Sequence, residues 1–425
     1  MPSTKFETKK EFAAAQTARD PLLAFRERFH IPEMADGSDC TYLAGHSLGL
    51  QPKSARDYVE QELQEWARLG VEGHFQARDP WMPYHETLTE PICRLVGALP
   101  IEVVAMNSLT VNLHLMMVSF YRPTAQRNKI LIEANAFPSD QYAVKSQIQY
   151  HGYDAADSLI ELNPRPGETW IRTEDIEELI DRDGEKIALV MLAGVNYYNG
   201  QTFDFQRITN AGHAKGCIVG FDLAHAAGNL PLKLHDWNID FAVWCSYKYL
   251  NGGPGAIAGC FVHERHAQDS KLPRFTGWWG HDKISRFRMP QDFQAIPGAE
   301  GWQLSNPSIL SAAALRASLE IFHEATMQRL RAKSELLTSY LEFLLDQDIS
   351  KKFSIITPRD SANRGAQLSL RLAEKGREVC DALAKDGIIC DWREPDILRV
   401  APVPLYNTFS DVHTFADKFL AAMRR

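Results

Sequence analysis

Two continuous apolar runs, each followed by a charged side chain, constrain the fold of this sequence most strongly. Residues 217–221 lead into Asp222, and residues 241–245 lead into Lys248 and a glycine-rich turn. Strands without polar alternation are typical of a sheet that is buried on both faces. A charge placed directly after a buried strand costs free energy unless a partner or a ligand neutralises it. The sequence therefore predicts a parallel sheet with a ligand site at the carboxyl ends of its strands.

Similar runs alternate with helical patterns from about residue 88 to 265. The runs are 130–132, 187–193, 217–221, 241–245 and 256–262, and helical candidates are 139–150, 173–183 and 205–215. This alternation predicts an α/β domain with a mostly parallel sheet. Two helices at 308–323 and 326–346, followed by short apolar runs, predict a smaller α+β domain. We expect an N-terminal arm over residues 1–50 that packs on the small domain, a large domain over 51–307 and a small domain over 308–425.

Composition excludes several classes of protein. The 425 residues are 45% hydrophobic and 24% charged, which is ordinary for a globular chain, and the net charge of −8 argues against a nucleic-acid binder. The sequence has no apolar signal core and no apolar run of transmembrane length. Its seven cysteines are scattered, which predicts buried free thiols rather than disulfides or metal ligands. A cytoplasmic enzyme without a membrane partner is the expectation.

Lys248 and Asp222 together predict a site for pyridoxal phosphate (PLP). A lysine amine can carry the aldehyde of this cofactor as a Schiff base, and a carboxylate can keep its pyridine nitrogen protonated. Taken singly, Lys248 could be a surface lysine and Asp222 a helix N-cap. The succession of strand, Asp222, His225, strand and Lys248 favours the cofactor over these alternatives.

Other stretches suit the remaining parts of such a site. Residues 107–112 precede a helical run, and the groups at a helix start bind phosphate well. Phe137 could cover the pyridine ring, and Arg399, between apolar neighbours, could bind a carboxylate through two hydrogen bonds. Each has an ordinary alternative: an N-cap, a common turn, and a salt-bridged arginine in a strand. Residues 266–307 lack periodicity, which indicates a functional or interface segment.

Together these stretches resemble the kynureninase family, PLP enzymes of the aspartate aminotransferase fold (fold type I). The matching stretches are 42–52, 106–115, 137–140, 220–225, 246–255, 277–281, 305–307 and 399–406. The lysine stretch alone would also fit cysteine desulfurases. The loop around Trp278 and the stretch that begins at Arg399 are more specific.

The resemblance implies roles for the matching residues. Lys248 would hold PLP and move the proton at Cα, and Tyr247 would contact the phosphate and assist protonation. Asp140 and Asp222 would face the pyridine nitrogen. The other cofactor contacts that it implies are Leu109, Thr110, Phe137, Pro138, Ser139, His225, Trp278 and Asn306. Trp278 and Asn306 would reach the site across a homodimer interface.

The resemblance also implies the reaction, a hydrolytic Cβ–Cγ cleavage of kynurenine or 3-hydroxykynurenine to an anthranilate and alanine in tryptophan catabolism. Arg399, with Ser47, would bind the carboxylate of this amino-acid substrate. His74 and Asn306 would lie near its aryl ring, a pattern that favours the 3-hydroxy substrate because a polar pocket discriminates against a ligand that lacks the matching hydroxyl. His74 could instead be a structural loop histidine.

Two positions depart from the family pattern. His46 stands where the family usually has Asn, and Ala193 stands where relatives often have Ser. One alternative is a cysteine desulfurase or selenocysteine lyase, which needs a nucleophilic cysteine on a mobile loop, whereas Cys380 and Cys390 fall in a predicted helix and strand. The other is a catalytically silent PLP-binding dimer, which the intact set of lysine, carboxylate and arginine argues against.

Overall fold

In a computed structural model, the chain is described at residues 5–267, 269 and 271–424. The strands are β1 (Thr41–Tyr42), β2 (Val103–Ala105), β3 (Lys129–Glu133), β4 (Leu159–Leu162), β5 (Ile187–Ala193), β6 (Ile218–Asp222), β7 (Phe241–Trp244), β8 (Gly259–Val262), β9 (Phe353–Ile355), β10 (Leu368–Leu372), β11 (Ile388–Ile389), β12 (Asp391–Arg393) and β13 (Ile397–Val400).

Helices separate most of these strands. They are α1 (Lys10–Ala18), α2 (Ala55–Leu69), α3 (Gly73–Gln76), α4 (Thr89–Val96), α5 (Leu109–Phe120), α6 (Pro138–Tyr150), α7 (Ala155–Ser158), α8 (Thr173–Asp183), α9 (Phe205–Ala214), α10 (Glu264–Ala267), α11 (Ile309–Ala325), α12 (Met327–Leu345), α13 (Gly376–Lys385) and α14 (Phe409–Arg424).

The large sheet has the strand order β2-β8-β7-β6-β5-β3-β4. The strands from β7 to β4 run parallel, whereas β8 is antiparallel to both β7 and β2. Successive residues of β3 enter different cores: Leu131 packs with α8 and α9, and Ile130 and Ile132 pack with α5 and α6. A sheet covered on both faces explains why its strands read as unbroken apolar runs. The predicted α/β class with a mostly parallel sheet is confirmed.

The central strands of the large sheet match their predicted positions closely, whereas its outer strands and the start of α5 do not. Strand β5 has the predicted bounds, and β6 extends to include Asp222. The predicted run 256–262 becomes a strand only from Gly259, and helix α5 begins at Leu109, ahead of the expected start at residue 113. Strands β2 and β4 were not predicted; β4 contains Glu161 and therefore shows no unbroken apolar run.

The small sheet is antiparallel, with the order β12-β13-β10-β9. Helices α12, α13 and α14 form a core on it, which Ala13 of α1 and Leu43 join from the N-terminal arm. Strand β1 of the arm also pairs with β11. Helix α11 lies inside the expected small domain, but its Ala312, Leu315 and Leu319 pack in the core of the large sheet. The domain limits stay a prediction.

The N-terminal arm also closes against the turn that carries Lys248. The Gly49 N–H donates a hydrogen bond to the Tyr247 carbonyl at 2.8 Å. A Cβ atom at residue 49 would lie 2.3 Å from the Lys248 carbonyl oxygen, so this close approach requires glycine. The arm therefore holds Ser47 and His46 beside the lysine turn.

Candidate active site

A cavity opens at the carboxyl ends of β3, β5, β6 and β7. Its lining residues are Leu109, Thr110, Phe137, Ser139, Asp140, Ala193, Val195, Tyr197, Asp222, Ala224, His225, Tyr247 and Lys248. Crevices of this kind, where successive parallel strands end, are the usual ligand sites of open α/β sheets. The structure thus brings most of the predicted cofactor residues together in one place.

Lys248 enters the cavity from the turn after β7 and is only 9% exposed. The turn is fixed by two backbone hydrogen bonds, from Asn251 N–H to the Lys248 carbonyl at 2.9 Å and from Gly252 N–H to the Ser246 carbonyl at 2.8 Å. The Lys248 Nζ atom lies 5.6 Å from the centre of the Phe137 ring. The lysine is therefore held by its backbone while its amine stays free to react inside the cavity.

Asp140 and Asp222 place two carboxyl groups in the same buried region. Asp222 Oδ1 accepts a hydrogen bond from Ala224 N–H at 2.6 Å, whereas Asp140 Oδ1 has no hydrogen-bond partner among the described residues. Burial, followed by the charge of Asp222, raises the pKa of Asp140 well above its usual range. Burial also raises the pKa of Asp222, while the Ala224 N–H and Lys248 oppose this shift. Asp140 is therefore the member of the pair that holds a proton.

Two helix starts meet at the opposite wall. Leu109 and Thr110 begin α5, and Pro138 and Ser139 begin α6. The hydroxyl groups of Thr110 and Ser139 lie 3.0 Å apart. Pro138 does not line the cavity, but it occupies the first helical position, where the missing N–H of proline costs nothing. Helix starts with free N–H and hydroxyl groups suit a phosphate dianion.

His225, which is buried, and Tyr247, which is half-buried, are polar groups beside Lys248 in the cavity. The Nδ1 atom of His225 has no hydrogen-bond partner within the described residues. Burial, and then the charge of Lys248, lowers the pKa of His225 well below its usual range, so its imidazole is neutral. Burial, together with the neighbouring Cys245, raises the pKa of Tyr247, so its phenol keeps its proton.

Arg399 lies just behind the cavity wall, in the middle of β13, and is 1% exposed. Its Nη1 group donates to the carbonyl of Tyr197 at 2.7 Å, and Tyr197 lines the cavity. Its Nη2 group donates to Ser47 Oγ at 3.2 Å and to the carboxylate of Asp391. The predicted pairing of Arg399 with Ser47 is therefore present, although neither residue lines the cavity as it stands.

Three predicted site residues lie away from this cavity. His74 is half-buried against Trp81, with their ring centres 5.4 Å apart, and its Nδ1 lies 2.9 Å from the Val71 carbonyl. Trp278 is 41% exposed, and Asn306 is exposed. None of the three lines the cavity of its own chain. The roles expected for them stay predictions.

Three residues that the sequence reasoning missed belong to this region. Tyr197 lines the cavity and follows β5, a position that the rule about strand ends could have identified. Glu133 ends β3 and is fully buried, and its Oε2 accepts a hydrogen bond from Ala193 N–H at 3.2 Å. Asp391 contacts Ser47 and Arg399, which depends on strand pairing that apolar patterning does not reveal.

The overall architecture matches solved PLP enzymes of fold type I. The cysteine desulfurase CsdA from Escherichia coli superposes with a TM-score of 0.75 at 18% identity, covering 95% of this chain and 98% of the other. The enzyme C-DES, solved with glycine covalently linked to its PLP cofactor, gives a TM-score of 0.77 at 15% identity over 93% and 98% of the two chains. At such identities the likeness shows the fold alone. The fold and the site define the class of PLP-dependent enzymes.

Sequence relatives identify the family. A family model described as the kynureninase C-terminal domain matches residues 330–419. The kynureninase of Koribacter versatilis is 64% identical over 99% of both chains, and that of Myxococcus xanthus is 62% identical over 96% of both. The kynureninase of Nematostella vectensis is 49% identical, over 98% of this chain and 94% of its own. The chain belongs to the kynureninase family of PLP-dependent hydrolases, so the alternative of a cysteine desulfurase is not supported.

The residues of the cavity fit the PLP cofactor of this family. They provide an amine for its aldehyde, two carboxyl groups for its pyridine nitrogen and two helix starts for its phosphate. The buried Asp140 Oδ1 and His225 Nδ1 atoms, which lack partners in the described part of the chain, are groups that a polar ligand would satisfy. None of the helices that the structure describes is long and apolar enough to cross a membrane.

The raised pKa of Asp140 predicts a pH-dependent effect of Asp140→Asn on the cofactor-free protein. The unfolded chain has the ordinary pKa near 3.8, so the folded protein binds the extra proton and loses stability as pH rises above that value. The variant lacks this group. Its melting temperature relative to wild type should therefore climb between pH 4 and 8, by on the order of a few degrees.

The measurement is thermal unfolding of both cofactor-free proteins across that pH range. Asp417→Asn, at an exposed site on α14, is the matched control and should give a flat difference. A flat difference for Asp140→Asn as well would show that Asp140 is not protonated in the folded protein.

Proposed function

We propose that this chain hydrolyses the Cβ–Cγ bond of 3-hydroxykynurenine in preference to kynurenine, releasing alanine and 3-hydroxyanthranilate, as a cytoplasmic homodimer in tryptophan catabolism. The observation that carries the proposal is the position of Lys248. Its amine shares one buried cavity with the carboxyl pair Asp140 and Asp222, and Tyr197 joins that cavity to Arg399. An amino acid held by its carboxylate at Arg399 would have its Cα within reach of the lysine.

The residues of this chain would divide the reaction among them. When bound, PLP supplies an electron sink for the bonding electrons released at Cα and Cβ. Asp222, whose carboxylate is held by Ala224 N–H, would keep the pyridine nitrogen protonated. The Lys248 amine would remove the proton from Cα and return it. Tyr247 keeps its phenolic proton because its pKa is raised, and it would donate that proton at Cβ.

Surface aromatics support the homodimer. His74 packs on Phe75 at 6.4 Å between ring centres, Phe75 on Phe287 at 6.2 Å, and Phe287 on Trp278 at 5.4 Å. Phe75 and Phe287 are each more than half exposed in the single chain. An apolar patch of this kind is typical of a protein interface. The predicted substrate residue His74 and the predicted cross-subunit residue Trp278 thus share one surface, as expected if both serve the partner's cavity.

The cysteines support the cytoplasmic location. All seven are free thiols, and Cys40, Cys93, Cys217, Cys245 and Cys260 are buried. Chains that reside in a reducing compartment keep such thiols unpaired.

The proposed preference predicts a kinetic ratio. The PLP-loaded protein should release alanine with a higher kcat/KM from 3-hydroxykynurenine than from kynurenine, and Lys248→Ala should release none. His74→Ala should shrink the ratio about 2- to 13-fold, because one hydrogen bond to the aryl hydroxyl contributes about 0.5–1.5 kcal/mol.

The matched control is His413→Ala, which removes another half-buried histidine that contacts a backbone carbonyl, that of Thr8 at 3.0 Å. It should leave the ratio unchanged. Equal or better kcat/KM for unsubstituted kynurenine would overturn the preference, and turnover of neither compound would overturn the proposed function.

The homodimer predicts complementation between two defective chains. If Asn306 completes the partner's cavity, co-expression of Lys248→Ala with Asn306→Ala forms mixed dimers with one intact site. Random pairing then gives about a quarter of wild-type activity, since half of the dimers are mixed and each has one of two sites intact.

The control is co-expression of Lys248→Ala with Tyr247→Phe. Both residues line the cavity of the same chain, so mixed dimers of this pair have no intact site. If co-expression of Lys248→Ala with Asn306→Ala gave no more activity than the two variants expressed separately, Asn306 would not act across an interface.

A further inference from the structure

Asp391 is the centre of a charged cluster beside the cavity. It begins β12, and antiparallel pairing places it directly opposite Arg399 on β13. Its Oδ2 atom accepts hydrogen bonds from Ser47 Oγ, from Arg399 Nη2 and, at 3.1 Å, from Arg393 Nη2. One carboxylate therefore connects the N-terminal arm to two arginines of the small sheet.

Three of the five N–H donors of Arg399 are occupied. A guanidinium group has five N–H donors in a fixed plane. Nη2 donates to Asp391 and Ser47, and Nη1 donates to the Tyr197 carbonyl. Nε is buried and has no hydrogen-bond partner among the residues described. An unpartnered buried donor is costly, so this atom is suited to receive an acceptor from a ligand.

The charges of the cluster do not cancel. Arg399 and Arg393 are two cations, and Asp391 is the carboxylate to which both donate, which leaves one excess positive charge. Burial would raise the pKa of Asp391, but His46, Arg399 and Ser47 outweigh burial and hold it far below its usual range, so Asp391 stays ionised. His46 lies 3.5 Å from Asp391 and is neutral, because burial lowers its pKa to about 3. A single carboxylate would neutralise the cluster.

We propose that Asp391 is a positioning residue for carboxylate recognition: it fixes the guanidinium of Arg399 against Ser47 and Tyr197, so that the unpartnered Nε donor and the excess positive charge are available to one carboxylate. The inference rests on the proposed function, since it takes Arg399 as the group that binds the carboxylate of the amino-acid substrate. Arg393, which shares the carboxylate of Asp391, supplies the second charge that keeps the site cationic.

The test is the affinity of the PLP-loaded protein for L-alanine, measured from the change in cofactor absorbance. This readout needs no bond cleavage, so it can fail or succeed independently of the proposed hydrolysis. Asp391→Asn keeps the size of the side chain but removes the charge that holds Arg399, and it should weaken alanine binding about tenfold, which corresponds to about 1.4 kcal/mol. With 3-hydroxykynurenine the same variant should raise KM about tenfold and change kcat less than about threefold.

Two comparisons separate positioning from a general structural effect. Asp20→Asn breaks another buried ion pair, that of Asp20 with Lys333 at 2.7 Å. It should destabilise the protein without altering the alanine affinity or the KM for 3-hydroxykynurenine. In an Arg399→Lys background, Asp391→Asn should weaken alanine binding by less than about twofold more, because Asp391 acts through the arginine. The inference would be overturned if Asp391→Asn kept its alanine affinity within twofold of wild type. It would also be overturned if Asp391→Asn still weakened alanine binding tenfold in the Arg399→Lys background.

Discussion

The burial of charge at the ends of the parallel strands governs the rest of this structure. Glu133 ends β3 and Asp222 ends β6, while Asp140 follows in α6. All three carboxyl groups are buried, and Asp140 and Asp222 share the cavity with Lys248. Three anions beside one cation would be unstable there. Burial raises the pKa of Glu133 to about 7 and that of Asp140 well above its usual range. Protonation therefore reduces the negative charge of this region.

The need to give every buried charge a partner also explains why the N-terminal arm and the small sheet pack on the large domain. Arg399 is buried, and its hydrogen bonds run to Ser47 of the arm, to Tyr197 after β5 and to Asp391 of β12. Removing any one of these segments would leave the buried guanidinium with one partner fewer, which is destabilising. Gly49 adds a backbone contact between the arm and the lysine turn. The cationic site and the lysine site are therefore fixed relative to each other by hydrogen bonds rather than by apolar packing alone.

The sequence made the central strands and the helices around them predictable, because two-sided burial produces unbroken apolar runs, one of which, β6, ends at the charged Asp222. It located Asp222 and Lys248 for the same reason, since each is a charge next to an apolar run. It did not locate Asp391, whose partner Arg399 lies opposite on an antiparallel strand, because cross-strand register depends on the turn between β12 and β13. It also assigned α11 to the small domain, because amphipathic spacing predicts a helix but not the core on which it packs.

The fold itself does not decide which bond is broken. A cysteine desulfurase shares this fold, so the fold alone does not specify the reaction. In this chain the lining of the cavity includes Tyr197, with the cationic cluster behind it, and no cysteine. Cys380 and Cys390 belong to the small-sheet core, packed beside α13 and β12. A persulfide chemistry would need a thiol in the cavity, and none of the residues that line it is a cysteine. The proposed recognition of the substrate carboxylate would instead use Arg399, which is held by hydrogen bonds to Ser47, Tyr197 and Asp391.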